Sequence, residues 1–396
     1  MKHIYFCTTH PSFSETFVAT EMQSLADCGE EVLAYSLRKP PHSLSPCATY
    51  LKPPCSRLRL AMWSASGLRI LIANIRTGLR FRPRNTLRLM VAASHAARVF
   101  EVVRRLEEQG DTVLHAHFLD RPADVVAMLP ASGATKIVTV HAADAYKRSD
   151  AALRDWRVTS FDRIICASDY VRRGLPERTS GIDVIHCGVA VPLGHERLIT
   201  QPLTRARVCT VARLIRTKNH PYAAAVLEHL TDLGISVEWH IVGGGPMESW
   251  IRHFADTTTR GELRVVMHGE VAHEQALALM RAADLTILPS LAELSGTDGI
   301  PVALMEAMAS GVLTVSTPVG GIPELVIDGV TGVMGDPSDP QGCAAAVADL
   351  LGDPGRMQQV IDAAFEHVRE SFNARESVAA LLNLTESNAQ LQGTRR

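Results

Sequence analysis

Short runs of β-branched and aliphatic residues alternate with longer amphipathic segments along nearly the whole chain, and this rhythm most constrains its fold. The series opens with a strand at His3–Cys7, a helix at Glu15–Asp27 carrying Phe17, Val18, Met22 and Leu25 on one face, and a strand at Val32–Ser36. A helix at Leu87–Leu106, a strand at Thr112–Ala116 and a helix from Arg121 to Leu129 continue it, followed by strands at Lys136–Val140, Arg163–Cys166 and Asp183–His186. Strands separated by helices build βαβ units, and so a parallel sheet covered on both faces. Between Gly188 and Arg207 the pattern lapses into VAVPLGHERLITQPLTRAR, then restarts with strands at Arg207–Val211, Val237–Val242, Leu263–His268, Asp284–Leu288 and Val312–Ser316. The expectation is two tandem Rossmann-like domains at 1–190 and 207–372, joined by a linker at 191–206. A C-terminal helix at 373–396 is free to return to the first domain. Ligands of such sheets bind beyond the carboxyl ends of the strands, so the cleft between the halves is the expected site.

Composition narrows the function classes. The 396 residues suit two domains, and a net charge of −2 excludes a generally basic, nucleic-acid-coating protein. No apolar run reaches the ~18–20 residues of a membrane span, and the start, MKHIYFCTTHPSFSE, turns polar too soon for a signal peptide. Eight cysteines without C-x-x-C spacing read as reduced thiols of a cytoplasmic protein. The neutral total hides one asymmetry. Residues 51–90 hold Lys52, Arg57, Arg59, Arg69, Arg76, Arg80, Arg82, Arg84 and Arg88 with no Asp or Glu, interleaved with Leu58, Leu60, Met62, Trp63, Ile70, Leu71, Ile72, Ile75 and Leu79. Basic and apolar residues together suit the anionic inner face of a membrane; a solvated helical insert is the plainer reading.

Several segments carry chemistry. In DLTILPSLAELSGTDGIPVALMEAMASG a strand feeds a loop and then a helix that opens at Ile300–Pro301 and closes at Gly311. Its free N–H groups, approached through Gly299, suit a phosphate, and Glu306 is placed to accept hydrogen bonds from a ribose diol. An ordinary capped helix with Asp298 near its start explains the same residues. In VARLIRTKNHP, Arg213 and Lys218 follow a strand five residues apart, as a pair that holds a diphosphate or as two solvated cations. Gly243, Gly244 and Gly245 form a strand-to-helix turn, more readily structural than functional. His141 and Asp144 follow a first-half strand, and His115 and His117 alternate along another as cleft or packing residues. There is no Gly-x-Gly-x-x-Gly, P-loop, G-x-S-x-G, H-E-x-x-H or Asp-x-Asp.

Taken in order, SETFVATEMQSL, HAHFLDRPADVVAMLP, VTVHAADAY, DRIICASDYVRRGL, VIHCGV, VARLIRTK, HIVGGGP and GIPVALMEAMASG…GGIPELV give the chain a resemblance over nearly its whole length. It resembles the retaining glycosyltransferases of glycosyltransferase family 4, with the GT-B fold, and most of all bacterial exopolysaccharide enzymes of the colanic-acid type. The resemblance implies an acceptor-binding N-terminal half and a C-terminal half that binds a nucleotide diphosphate sugar, UDP- or GDP-hexose. It implies retention of configuration with no metal and no cofactor. Arg213 and Lys218 would grip the diphosphate, Glu306 the ribose, and Asp298 and His141 would lie beside the transferred sugar. These four, Asp298, His141, Arg213 and Lys218, form the implied reacting set. Gly243, Gly244, Gly299, Ile300, Gly320 and Gly321 would line the donor, and Ser14, Glu15 and His117 the acceptor. Two departures stand out: Asp298 replaces the family's usual Glu, leaving Glu293 as an alternative, and the N-terminal glycine pair is missing near Ser12 and Ser14. The implied acceptor is a lipid-linked glycan in polysaccharide assembly, with a soluble natural-product or aminocyclitol acceptor as the alternative. A nucleotide-sugar 2-epimerase and a non-catalytic binder of anionic lipid or glycan also remain open.

Overall fold

The computed structural model describes residues 1–10, 16–38, 48–50, 83–130, 133–146, 151–175, 181–258, 262–292 and 299–393. The chain divides into two compact units, Met1–Cys187 with Ser377–Arg396, and Gly188–Glu376.

The first unit is built on a parallel sheet of β1 (Lys2–Cys7), β2 (Glu31–Ser36), β3 (Ala48–Tyr50), β4 (Thr112–His117), β5 (Thr135–Val140), β6 (Arg163–Cys166) and β7 (Ile182–Val184), in the order β3-β2-β1-β4-β5-β6-β7. Ile4 lies opposite both Leu33 and Leu114, which fixes the register at the centre. Every residue of β4 and β5 is buried, as strands covered on both faces must be. The two-residue period sorts the core into two layers. Phe6, Leu114, Val138 and Ile164 meet Leu89, Ala93 and Ala96 of the helix Pro83–Glu108 and Val125 of the helix Arg121–Met128. Tyr5, Val113, Ile137 and Ile165 meet Val18, Met22 and Leu25 of the helix Thr16–Asp27, with Val378 and Leu381 of the C-terminal helix Ala374–Gly393. Beneath the first layer, Asp124 is fully buried between the guanidinium groups of Arg157 and Arg88.

The second unit repeats the plan with β8 (Arg205–Val211), β9 (Ser236–Val242), β10 (Leu263–Gly269), β11 (Leu285–Leu288), β12 (Leu313–Ser316) and β13 (Val333–Met334), ordered β10-β9-β8-β11-β12-β13. Trp239, fully buried on β9, donates to Thr210 Oγ1 (2.9 Å), and Thr210 donates to the Ile287 carbonyl (2.9 Å), so one polar chain crosses three strands. Residues 191–206, expected as a linker, are fastened to this unit. The Ile199 N–H donates to Gln358 Oε1 (2.8 Å), and the Leu203 N–H to the Leu351 carbonyl (2.8 Å). Gly188, where the chain enters this unit, packs so tightly that a Cβ would lie 2.3 Å from Ala374 Cα.

The segment 51–82 lies outside the described residues, so the reading of the basic block as a membrane face is untested for most of its length. One member departs from it: Arg88 is paired with Asp120 and Asp124, because burying Asp124 demands cations nearby. No helix of the described residues is long and apolar enough to cross a membrane. The six cysteines among them are free.

Candidate functional site

In the second unit the strand order reverses between β8 and β11, and open α/β sheets bind ligands at such a switch point. The loops leaving these two strands are joined there. The Thr217 carbonyl accepts a hydrogen bond from the Leu291 N–H (2.8 Å). Arg213 is exposed at the start of the first loop, and Lys218 is half-buried in its short 3₁₀ turn, Arg216–Lys218. Asn219 takes the left-handed conformation (φ 46°) and turns the chain into the helix His220–Asp232. Gly299 and Ile300, both half-buried, lead through Pro301 into the helix Val302–Ala309, which carries Glu306. Gly320 (φ 64°) and Gly321 follow β12. Asp298 and Glu293 lie outside the described residues, as do Ser14 and Glu15 of the first unit.

Gly243 has a demonstrable structural role. Its φ is 134°, and a Cβ there would stand 1.9 Å from the Ala212 carbonyl oxygen. The turn thereby packs on the backbone that precedes Arg213, and the Leu214 N–H donates to the Gly244 carbonyl (2.8 Å). Gly243→Ala is expected to cost about 1–3 kcal/mol through overpacking and backbone strain. An unchanged thermal midpoint would refute this packing role.

Glu306 is a half-buried carboxyl whose pKa burial pushes up from 4.5 to about 7. His273 Nε2 lies 3.5 Å from its Oε1, but that imidazole is 44% exposed and a weak countercharge. The folded protein binds the Glu306 proton more tightly than the unfolded chain. The stability this gives is fully present below pH 4.5 and lost as pH rises towards 7, about 3 kcal/mol at most. Glu306→Gln is therefore expected to be more stable than wild type at pH 8 and to match it near pH 4. Urea midpoints at the two pH values test this, and a pH-independent difference would reject it. A carboxylate held at such a cost is a functional-site candidate.

In the first unit, aromatic and titratable groups gather at the carboxyl ends of β1, β4 and β5. Tyr5 donates to Glu21 Oε1 (2.5 Å), His117 Nε2 lies 3.1 Å from the same oxygen, and His117 Nδ1 lies 3.4 Å from His141 Nε2. His115 Nε2 is bonded to Thr139 Oγ1 (2.7 Å). Phe118, a non-glycine residue with φ 73°, holds its ring 4.4 Å from that of His141, and Phe17 flanks it at 5.0 Å. The His141 N–H donates to Asp144 Oδ2 (3.1 Å), and burial raises the Asp144 carboxyl to about 6. His117, expected on the acceptor side, is fully buried, its ring nitrogens engaged by Glu21 and His141. Glu21 was not foreseen. Donor atoms of Glu21, His115 and His117 lie within 4.8 Å of one another, a spacing that also suits a metal ion, but Tyr5 and His141 already engage this cluster.

Residues 198–367 match the family described as glycosyl transferases group 1, so the second unit carries a domain of this kind. The chain is 32% identical over 208 residues to the putative colanic acid biosynthesis glycosyltransferase WcaL of Salmonella typhimurium, covering 52% of this chain and 51% of that protein. It is 34% identical over 188 residues to the amylovoran biosynthesis glycosyltransferase AmsK of Erwinia amylovora, covering 47% and 45%. The match spans about half the length of these curated relatives. The fold resembles that of Anabaena Alr3699/HepE, solved in complex with UDP, with a TM-score of 0.70 at 15% identity over 98% of this chain and all of the other. The fold class is thus the α/β GT-B class, with two Rossmann-like parallel-sheet units.

Proposed function

We propose that this protein is a retaining glycosyltransferase that moves a hexosyl unit from a nucleotide diphosphate sugar to a hydroxyl acceptor, without metal or cofactor. The observation that carries the reading is the Leu291–Thr217 hydrogen bond, which ties the loop bearing Arg213 and Lys218 to the one leading to Gly299 and Glu306. In this reading the two cations neutralise charge developing on the departing diphosphate. The N–H groups at the start of Val302–Ala309 face a phosphate, Glu306 accepts from the ribose diol, and Gly243, Gly244, Gly320 and Gly321 let the donor approach. Asp298 and His141 attend the sugar, and Ser14 and Glu15 the acceptor. The leaving phosphate oxygen takes the acceptor hydroxyl proton on the face from which it departs, so configuration is retained.

The acceptor proposed is a lipid-linked glycan in exopolysaccharide assembly, supported by the names of the colanic acid and amylovoran relatives. The enzyme would then act in the cytoplasm at the inner face of the membrane, with residues 51–90, Arg88 apart, towards anionic lipid. Incubation with a panel of UDP- and GDP-sugars, with and without lipid-linked and soluble acceptors, tests the reading. Acceptor-dependent nucleotide release and an α-glycoside from an α-donor are expected. An isomerised sugar without glycoside, or liposome retention without nucleotide binding, would overturn it.

A further inference from the structure

We propose that Glu21, His115 and His117 form a structural site for a divalent transition metal ion of the zinc type, which pins the helix Thr16–Asp27 to the centre of the first sheet. His115 and His117 stand two residues apart on β4, so both project from the sheet face that this helix covers. Glu21 lies on the helix, and its Oε1 is 3.1 Å from His117 Nε2 and 3.6 Å from His115 Nδ1. Donor atoms of all three residues lie within 4.8 Å of one another. Bonds of about 2.0–2.2 Å to a tetrahedral ion set its donors about 3–4 Å apart, so both separations from Glu21 already match.

His115 is the residue that asks for a ligand. Its ring has no exposed surface and its Nε2 is engaged by Thr139 Oγ1 at 2.7 Å, yet its Nδ1 has no hydrogen-bond partner among the described residues. A buried polar atom left in that way lowers stability until something completes it. A cation held by Nδ1, by His117 Nε2 and by the carboxylate completes it. The remaining contacts then fall where metal sites place their outer partners. Thr139 Oγ1 accepts from His115, Tyr5 OH donates to Glu21 Oε1 at 2.5 Å, and His117 Nδ1 faces His141 Nε2 at 3.4 Å. Tyr5 and His141 thus steady the ligands rather than replace the ion. Two imidazoles and a carboxylate select zinc and its neighbours over magnesium or calcium, which prefer oxygen donors throughout. In the second unit His240 Nδ1 and His268 Nε2 meet at 2.9 Å, but no third donor joins them at this spacing among the described residues. The ion is structural: no step of the proposed transfer runs through it, and the inference does not depend on that reading.

The test uses the full chain without a histidine tag, stripped with a chelator and then supplied with zinc, cobalt or magnesium salts before desalting. Wild type is expected to retain about one zinc per chain, to show the visible bands of tetrahedral cobalt, and to gain thermal stability from zinc but not from magnesium. Glu21→Gln and His115→Gln are each expected to lose the zinc and its stabilisation, whereas His268→Gln keeps both. The metal-free thermal midpoint of each variant reports whether it has folded. One readout needs no variant: in histidine labelled with ¹⁵N, zinc is expected to move one Nδ1 and one Nε2 resonance. A wild type that retains no zinc would overturn the proposal and leave a hydrogen-bonded network in its place. Zinc that persists in folded Glu21→Gln and His115→Gln, zinc that is lost with His268→Gln, or zinc that moves only Nε2 resonances would overturn it as well.

Discussion

Asp124→Ala is expected to destabilise the N-terminal unit by about 3–5 kcal/mol, far more than loss of any exposed ion pair on the same surface. Asp124 has no exposed surface, and Arg157, 4% exposed, donates to it through Nε at 2.7 Å and Nη2 at 3.2 Å. Arg88 approaches from the other side, its Nε 2.7 Å from Oδ2. Removing the carboxylate leaves the Arg157 guanidinium in the interior with, among the described residues, the Leu119 carbonyl at 2.9 Å as its acceptor. The uncompensated charge, not the lost attraction, dominates the cost. Arg104 and Glu108, a half-exposed and an exposed side chain paired on the helix Pro83–Glu108, provide the contrast, since Arg104→Ala should change stability by less than about 0.5 kcal/mol. Hydrogen exchange of peptides from Arg121–Met128 and Ala151–Thr159 measures both, because two-unit unfolding need not be two-state. Asp124→Ala protection within tenfold of wild type would show that the triad is not the anchor of this layer. The Arg157→Met, Asp124→Leu pair should recover part of the loss, since it removes both buried charges together and leaves Arg88 with Asp120 as its partner.

The strands were legible because parallel strands covered on both faces are continuous apolar runs, and β1, β4, β5 and β6 begin and end within two residues of their expected limits. The strands β3 and β13, of three and two residues, are too short to carry a period. The 191–206 segment looked like a linker because it lacks periodic apolar residues. Its attachment depends on partners such as Gln358 and Leu351, more than a hundred residues away, and no local pattern encodes those. Arg213 and Lys218 fall in the loop after β8 and Glu306 on the helix after β11, where the strand–helix alternation put them, because strand-to-helix connections at successive sheet positions have few alternatives. Glu21 could not be placed in that way, since its partner His117 is 96 residues distant. A signal was nonetheless available: Glu21 lies four residues after Phe17, three after Val18 and four before Leu25, so it shares their buried helix face. A carboxylate there has to find a buried partner.

Lys218→Ala is expected to slow turnover by about 10²–10³-fold while leaving the fold intact, on the reading that the departing diphosphate is stabilised by cations. Lys218 is half-buried and anchored by its own backbone, whose N–H donates to the Ile215 carbonyl (3.0 Å) in the 3₁₀ turn. The neighbouring imidazole of His220 is driven down to about 4, first by burial and then by the Lys218 charge, so at neutral pH it adds no second cation here. The turn therefore presents the half-buried Lys218 beside the exposed Arg216, and the Thr217–Leu291 bond holds its backbone beside the loop that leads to Glu306. Arg213 is exposed and freer to move, so Arg213→Ala should cost less than Lys218→Ala. Lys218→Arg should restore only part of the rate, because a planar fork cannot occupy the position of a compact ammonium. Steady-state rates at saturating donor, with calorimetric binding of the nucleoside diphosphate, separate the two contributions to loss. If the cation acts mainly on the developing charge, kcat falls more than product affinity; equal losses would mean that it serves ground-state binding. A Lys218→Ala rate within threefold of wild type would remove the turn from the reacting centre altogether.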